Sequence, residues 1–272
     1  MNKIFDGKKE SLIIREQLKE YFEKFDVSPT LGIIQVGDDR LSNIFINEKI
    51  KFAKYIGVNV ELKKFPSGFE NLETEIDNYN KDDNIDAFLL QLPLVGIRNS
   101  KIYLEKIDYK KDIDCLTGYN YSKVLLGEYK VAPGVFLAFR YIFEKLNIEN
   151  KVHILIVGEG FVGRLIINYL SLYKFNITIV DKFVGDISKY SKYADVIVFT
   201  AGISFLISKN DIKKGAYCIN IGASADFSGK VFGGISNDVI DIAGFFVPSV
   251  GGIGPMTVAM LFQTLKKFVE GI

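Results

Sequence analysis

One stretch of the chain predicts a strand, a tight turn and the start of a helix: Ile154-Leu155-Ile156-Val157-Gly158-Glu159-Gly160-Phe161-Val162-Gly163-Arg164. Its glycines follow the G-x-G-x-x-G spacing, in which the first two let the backbone approach a pyrophosphate and the third lets helix and strand pack closely. The unpaired amides and the positive dipole end of the helix then face the phosphates. The stretch therefore predicts a dinucleotide site, and the alternative is a glycine turn without a ligand in an α/β domain.

The next predicted strand, 176–180, ends on Asp181, about 20 residues after Gly160, which is near the distance at which an acid meets a ribose diol. Another buried strand ends on a turn of small residues, Ala201 and Gly202, which lets a cofactor lie close to the backbone. The predicted cofactor-binding residues are Gly158, Glu159, Gly160, Phe161, Val162, Gly163, Asp181, Thr200, Ala201, Gly202 and Ala223.

The N-terminal half alternates strand and helix patterns, with strands predicted at 31–36, 58–65 and 85–91. This alternation indicates a parallel sheet with right-handed crossovers. A ligand of such a sheet lies beyond the carboxyl ends of its strands. Residues 37–49, Gln91 and Pro93 are therefore expected on one rim.

A polar stretch at 109–129 is expected to be a loop or boundary before a new helix at 135–146. Further strand patterns complete a doubly wound sheet around the nucleotide site, and they lie at 195–200, 217–222 and 245–248. The last helix is predicted to open within 250–257 and to run to about residue 269.

We therefore predict an α/β protein of two domains. An N-terminal α/β substrate domain comprises 1–133 plus 254–272, because the C-terminal helix returns to it. A Rossmann-like, doubly wound dinucleotide-binding domain comprises 134–253.

The composition narrows the class of protein. Among 272 residues, 34 Lys and Arg against 33 Asp and Glu leave a net charge of +1, so no footprint for nucleic acid or an anionic membrane is visible. No segment approaches the roughly 18 apolar residues of a membrane span, and the N-terminus does not resemble a signal peptide. Two cysteines and the single His153 predict no metal site, and the few cysteines favour a reducing compartment, the cytoplasm.

Five short motifs follow one another along the chain. Pro248-Ser249-Val250-Gly251-Gly252-Ile253-Gly254-Pro255-Met256-Thr257 matches P-x-P-G-G-V-G-P-M-T, with valine where the second proline is usual. Residues 36–42 and 42–49 read VGDDRLS and SNIFINEK, against V-G-D-D-P-A-S and S-x-x-Y-V-x-x-K. Residues 91–94 and 111–114 read QLPL and KDID, against Q-L-P-L and K-D-V-D. Taken in the order in which they occur along the chain, these motifs resemble those of the methylenetetrahydrofolate dehydrogenase/cyclohydrolase family, and the resemblance covers nearly the whole chain.

The resemblance implies an enzyme that oxidises the methylene bridge of a tetrahydrofolate by hydride transfer and hydrolyses the resulting methenyl cation. It implies Lys49 as the lysine of both steps, Gln91 as the residue that holds and tunes its ammonium, and Asp114 as the acid that binds the pterin through two hydrogen bonds. Without the resemblance, Lys49 would be interpreted as a solvated lysine on a helix, Gln91 as a residue that caps a strand end, and Asp114 as an acid in a turn. The residues implied to bind the substrate are Phe45, Pro93, Gly251, Gly252, Gly254 and Pro255.

Three departures from the family pattern qualify this reading. Phe45 stands where tyrosine is usual, so a hydroxyl near the lysine is missing, and we expect hydrolysis to be slower relative to oxidation. Cys115 replaces a usual glycine, and residues 130–133 read KVAP instead of P-C-T-P. Two alternatives are a dehydrogenase that has lost the hydrolytic activity and a non-catalytic nucleotide-binding protein on the same fold.

The identity of the dinucleotide is open between NAD and NADP. The family usually takes NADP and forms a homodimer through its cofactor domain. Here Glu159 stands in the glycine turn, and Asp181 would accept hydrogen bonds from a ribose diol but would repel a 2′-phosphate. Lys182 and Arg164 are the few cations that could offset these acids. Local charge therefore favours NAD.

Overall fold

The computed structural model describes residues 3–226 and 228–271. It divides into two compact units. One combines the residues up to Glu10 with Val135–Thr257, and the other combines Ser11–Gly134 with the chain from Val258 on. We call them the five-stranded and the three-stranded unit after their main sheets. The five-stranded unit includes the first described residues, whereas the sequence analysis assigned them to the N-terminal substrate domain. The division into a substrate domain (1–133 plus 254–272) and a dinucleotide-binding domain (134–253) stays a prediction.

The three-stranded unit contains a parallel sheet with the order β2-β1-β3. Its strands and helices alternate along the chain as α1 (Gly7–Phe22), β1 (Thr30–Val36), α2 (Arg40–Ile56), β2 (Asn59–Phe65), α3 (Leu72–Lys81), β3 (Ala87–Gln91), α4 (Ser100–Leu104) and α5 (Gly118–Leu125). The register pairs Gln35 of β1 with Gln91 of β3. Beside β3, an isolated parallel bridge joins Phe88 to Asp112 and continues the sheet by one short segment.

Helix α2 is defined at both ends by its sequence. Asp39 caps its N-terminus by accepting a hydrogen bond from Ser42 N at 2.8 Å, and Gly57 ends it in the left-handed conformation. Its buried residues recur at helical spacing and are Ser42, Ile46, Lys49, Phe52, Ala53 and Ile56. Lys49 thus lies in the stripe that faces the core, which is an unusual position for a lysine.

The five-stranded unit is built around a parallel sheet with the order β10-β7-β6-β4-β5. Its elements are α6 (Gly134–Lys145), β4 (His153–Val157), α7 (Phe161–Leu172), β5 (Asn176–Val180), α8 (Ser188–Ser191), β6 (Val196–Phe199), β7 (Tyr217–Asn220), β8 (Ala223–Ala225), β9 (Val231–Gly233) and β10 (Phe245–Val247). The strand order reverses between β4 and β6, so the carboxyl ends of these two strands form the crevice in which such sheets bind ligands.

Most predicted strands are confirmed, and the largest error concerns 109–129. This stretch is not all loop, because α5 occupies Gly118–Leu125. Thr117 caps the helix by accepting a hydrogen bond from Asn120 N, and Asn120 is itself buried. A buried polar residue broke the apolar periodicity from which the helix would have been recognised. The short hairpin of β8 and β9 was also missed.

The C-terminal helix α9 covers Gly254–Val269, and its start lies within the predicted interval of 250–257. The preceding Ser249–Ile253 is a wide turn, with Gly251 in the left-handed region at φ 78°. From Val258 on, the helix belongs to the three-stranded unit. Its Phe262 stacks on Phe52 with ring centroids 5.0 Å apart. Thr264 Oγ1 donates a hydrogen bond to Ala132 O at 3.4 Å.

We expect Phe262→Ala to lower the free energy of unfolding by about 3 to 5 kcal/mol, because it removes a fully buried ring from the core of the three-stranded unit. Denaturant titration followed by circular dichroism measures this. Phe183→Ala is the matched control, since Phe183 is 83% exposed and its loss should change stability by less than about 0.5 kcal/mol. Equal effects of the two variants would show that the helix does not complete this core.

Candidate functional site

Lys49 and Gln91 form a hydrogen-bonded pair at the carboxyl end of the three-stranded sheet. Lys49 is 7% exposed, and its Nζ donates to Gln91 Oε1 at 3.0 Å. Gln91 Nε2 donates in turn to Leu92 O at 3.1 Å. Because an ammonium only donates, this arrangement fixes which end of the Gln91 amide faces the lysine. The predicted rim is therefore confirmed for these two residues.

Asp114 interacts electrostatically with this pair. Burial lowers the pKa of the Lys49 ammonium, and the charge of Asp114 opposes that shift. Burial likewise raises the pKa of the Asp114 carboxyl, against the opposing effect of Lys49. Within the described chain, no hydrogen bond or ion pair occupies the Asp114 carboxylate, part of which remains accessible. The two groups are thus displaced from their ordinary pKa values while Asp114 stays open to a ligand.

The loop that carries Asp114 is fixed by its neighbours in the K-D-I-D motif. Lys111 Nζ donates to Tyr79 O at 3.1 Å and to Asp82 O at 2.7 Å, at the C-terminal end of α3. A cation there satisfies helix carbonyls and interacts favourably with the helix dipole. The first acid of the motif, Asp112, is 1% exposed and therefore belongs to the interior rather than to the rim.

Asp112 organises the turn that follows Asp114. Its carboxylate accepts hydrogen bonds from Leu116 N at 3.1 Å, Thr117 N at 2.8 Å and Asn120 Nδ2 at 3.2 Å. Burial raises the pKa of Asp112, and these hydrogen bonds act in the opposite direction. Three donors on one buried carboxylate hold the turn and the start of α5 together.

Cys115 adopts a conformation that glycine normally takes. Its φ is 53°, in the left-handed region, and the side chain is fully buried. The residue that replaces the usual glycine after the aspartate therefore keeps the glycine-like backbone. Burial raises the pKa of the Cys115 thiol, so the thiol is unreactive.

Phe45 and Pro93 lie close in sequence to the Lys49–Gln91 pair. Phe45 is half-buried and lies one helical turn before Lys49, on the same side of α2. Pro93 is exposed and follows a cis Leu92–Pro93 peptide bond. An aromatic ring and a prolyl ring therefore lie near the carboxyl end of the three-stranded sheet, where Lys49 of α2 binds Gln91 of β3.

The remaining predicted substrate-binding residues lie in the turn before α9 and in the first turn of that helix, both within the five-stranded unit. Gly251 needs its left-handed conformation, and Gly254 and Pro255 form the first turn of the helix. Gly252 is packed against Gly7, because a Cβ added at Gly7 would lie 1.8 Å from Gly252 O. Gly7 was missed from the sequence, since a glycine at a helix start carries no signal of a distant contact.

Glycine is required by close packing at the end of β4. A Cβ at Gly163 would lie 2.1 Å from Gly158 O, and Gly158 itself has φ 101°. Thr200 Oγ1 donates to Gly158 O at 2.7 Å and joins the ends of β4 and β6. Gly160 is the N-cap of α7 and offers no side chain to the first amides of that helix. A helix start without a side-chain cap is the arrangement that a dinucleotide site needs for its phosphates.

The loops after β6 and β7 also approach each other closely. A Cβ at Gly222 would lie 1.9 Å from Ala201 O, so Gly222 joins the predicted Ala201, Gly202 and Ala223 in this rim. Gly222 was missed because the sequence analysis counted it as the last residue of a strand.

Asp181 and Glu159 are both exposed at the predicted adenosine end. Asp181 Oδ1 accepts a hydrogen bond from Phe183 N at 2.9 Å. Neither candidate cation turns toward Asp181: Lys182 Nζ lies 4.9 Å from the centre of the Phe183 ring, and Arg164 Nε donates to Glu159 O at 2.9 Å. Among the described residues, none forms an ion pair with Asp181.

In residues 3–226 and 228–271, no group of three or more His, Cys, Asp or Glu could hold a metal ion. None of the helices that the structure describes has both the length and the apolar character of a membrane span. His153 Nε2 lies 2.9 Å from Thr178 Oγ1 across β4 and β5, which is a structural contact.

Comparison with protein families gives two matches that together cover most of the chain. Residues 5–114 match the model of the tetrahydrofolate dehydrogenase/cyclohydrolase catalytic domain. Residues 137–271 match that of the tetrahydrofolate dehydrogenase/cyclohydrolase NAD(P)-binding domain. The bifunctional protein FolD of Hydrogenobaculum is 31% identical over 277 residues, covering 99% of each chain.

Solved structures agree with this match. Bifunctional FolD methylenetetrahydrofolate dehydrogenase/cyclohydrolase from Campylobacter jejuni superimposes with a TM-score of 0.88 at 26% identity, over 98% of both chains. The methylenetetrahydrofolate dehydrogenase-cyclohydrolase of Trypanosoma brucei, complexed with NADP and an inhibitor, gives a TM-score of 0.91 at 25% identity, over 98% of this chain and 97% of that one.

Proposed function

The chain belongs to the tetrahydrofolate dehydrogenase/cyclohydrolase family, and on that premise we propose that Lys49, Gln91 and Asp114 form its catalytic centre. The enzyme oxidises methylenetetrahydrofolate to methenyltetrahydrofolate and hydrolyses the product to formyltetrahydrofolate. The observation that carries the assignment of residues is the buried Lys49 side chain, whose Nζ donates a hydrogen bond to Gln91 Oε1 at 3.0 Å.

Lys49 is suited to proton transfer because its pKa is lowered by burial. In the hydrolytic step, neutral Lys49 Nζ accepts a proton from the attacking water. In the oxidation, the same side chain hydrogen-bonds to the folate at the reacting centre. Gln91 holds Nζ in position, so that the lysine does not have to be ordered at the moment of reaction.

Asp114 and Phe45 bind the pterin in this proposal. The Asp114 carboxylate accepts two parallel hydrogen bonds from the ring N–H and the amino group of the pterin. Phe45, on the lysine side of α2, stacks on the ring without offering a hydroxyl. The remaining substrate contacts in this proposal come from Pro93, from Gly251 and Gly252 in the turn before α9, and from Gly254 and Pro255 in the first turn of that helix. The missing hydroxyl makes hydrolysis slower relative to oxidation than in tyrosine-bearing relatives.

The five-stranded unit fits a dinucleotide. A Cβ on Gly158 or Gly163 would collide with neighbouring atoms, so the tight turn needs glycine at both positions. The start of α7 also has no side-chain cap. When bound, NAD(P) supplies the hydride acceptor. Gly158 to Gly163 would hold the pyrophosphate, Thr200 to Gly202 and Ala223 would line the crevice, and Asp181 would bind the ribose diol. NAD is the favoured dinucleotide, since no cation neutralises Asp181 among the described residues.

We propose the cytoplasm as the location, because both cysteines are buried free thiols and a reducing compartment keeps them so. We also propose a homodimer through the five-stranded unit. Its edge strand β5 has an unpaired side, and exposed apolar side chains lie on and near it: Leu172, Tyr173 and Ile179.

Lys49→Ala should lower both oxidation and hydrolysis by at least about 100-fold, because a positioned proton-transfer group is lost. Steady-state assays that follow the formation and decay of methenyltetrahydrofolate measure both steps. Lys51→Ala is the matched control, since Lys51 lies on the same helix with 72% of its side chain exposed. Near-normal turnover of Lys49→Ala, with an intact fold, would remove Lys49 from the mechanism.

The enzyme should prefer NAD over NADP by at least about fivefold in kcat/KM, because Asp181 repels a 2′-phosphate. Asp181→Asn should reduce that preference mainly by improving the use of NADP. Asp241→Asn, at an exposed acid of the same unit outside the predicted cofactor-binding set, should leave the ratio unchanged. A clear NADP preference of the unaltered enzyme would contradict the role of Asp181.

Ile179→Lys should convert the dimer to a monomer, because it places a charge on the proposed strand-pairing edge. Sedimentation velocity measures the state of both proteins. Ile102→Lys is the control, since Ile102 is 54% exposed but lies in the three-stranded unit. A monomeric unaltered protein would reject the homodimer, and a dimeric Ile179→Lys would reject this interface.

A further inference from the structure

Gln35 occupies a position beside the catalytic pair that the sequence analysis did not single out. It is 2% exposed and lies near the end of β1, paired in register with Gln91 of β3. Paired residues of parallel strands point to the same face of the sheet. Both glutamines reach toward α2: Gln35 Nε2 donates to Asn43 Oδ1 at 2.8 Å, and Lys49 Nζ donates to Gln91 Oε1 at 3.0 Å.

The orientation of the Gln35 amide is fixed from the rim of the unit. Asn43 Nδ2 donates to Asp38 Oδ1 at 2.6 Å, and a carboxylate can only accept. Asn43 must therefore present its oxygen to Gln35, so that Gln35 must present its nitrogen to Asn43. The Gln35 oxygen is consequently directed away from Asn43, into the interior.

That oxygen is buried and lacks a donor. Among the described residues, no group donates a hydrogen bond to Gln35 Oε1. A buried amide oxygen without a partner is strongly disfavoured, so native proteins supply a donor or an ordered water. The neighbouring Lys49 ammonium carries three N–H groups and donates one of them to Gln91. The unpartnered Gln35 oxygen thus belongs to the strand residue paired with Gln91, the residue that binds an ammonium with N–H groups to spare.

We propose that Gln35 is a positioning residue for Lys49: its Oε1 accepts a hydrogen bond from a buried water that itself accepts one from the Lys49 ammonium. The water satisfies both groups, as buried waters do between polar atoms that cannot meet directly. Gln91 and this water then bind two of the three ammonium N–H groups, which leaves the third for the substrate. This inference rests on the proposed function of Lys49.

The charged groups around the pair are few. Lys49 projects from α2 and Asp114 from the loop after the 111–113 segment, while Asp38 lies exposed at the end of β1. A change at residue 35 therefore acts on the titration of Lys49 and, through it, on that of Asp114, whose charge interacts with the lysine.

Two substitutions at residue 35 test the proposal through the pH dependence of kcat. Gln35→Met keeps the volume but removes the acceptor, and should lower kcat by about 10-fold while KM for the folate stays within about threefold. Because an acceptor for the ammonium is lost, the apparent pKa of the limb due to Lys49 should fall. Gln35→Glu adds a negative charge there, so the same limb should move to higher pH. Gln17→Met, at an exposed glutamine, should change neither parameter.

A purely structural tie between β1 and α2 would lower the unfolding temperature without moving the pH profile. Unchanged profiles in both variants would therefore overturn the proposal. If Gln35→Met fails to fold, the profile of Gln35→Glu decides alone. In a Lys49→Ala background, Gln35→Met should cause no further loss of turnover, and an additional loss would show that Gln35 acts independently of the lysine. High turnover of Lys49→Ala alone would instead reject the proposed function.

Discussion

The burial of the Lys49 ammonium is the constraint on which the catalytic half of the structure depends. An ammonium removed from water needs acceptors, and each of them must be delivered by a different element. β3 delivers the amide oxygen of Gln91, and the K-D-I-D loop delivers the charge of Asp114. The positions of α2, β3 and the loop are thus coupled through one side chain.

The supporting loop shows how such a site is kept rigid. Asp112 accepts three hydrogen bonds within the turn, and Lys111 ties the same segment to the carbonyls at the end of α3. The carboxylate of Asp114, two residues after Asp112, accepts no hydrogen bond in the described part of the chain. The acid that accepts three hydrogen bonds is therefore structural, and the acid that accepts none is the one we propose as the pterin ligand.

The five-stranded unit meets a different constraint, which is close approach of backbone to backbone. Gly163 packs on Gly158 O, Gly222 packs on Ala201 O, and Gly7 packs on Gly252 O. Each contact removes the space that a side chain would need, and at the ends of β4, β6 and β7 the peptide groups themselves form the rim of the crevice. A surface made of amides suits phosphates and planar rings because it adds donors without side-chain entropy.

The sequence by itself determined the parallel α/β architecture, the glycine turn and the candidate catalytic residues, because strand periodicity, glycine spacing and motif order are local signals. It did not reveal α5, whose helical pattern is interrupted by the buried Asn120. It also did not reveal Gln35 or Gly7, since a buried glutamine and a packed glycine gain their meaning from partners far along the chain. The motif match had singled out Asp114, but only the tertiary structure decided how the two acids of the K-D-I-D motif differ: three hydrogen bonds hold the buried Asp112, whereas the charge of Asp114 acts on Lys49. That difference depends on burial and hydrogen-bond geometry, which the order of residues does not encode locally.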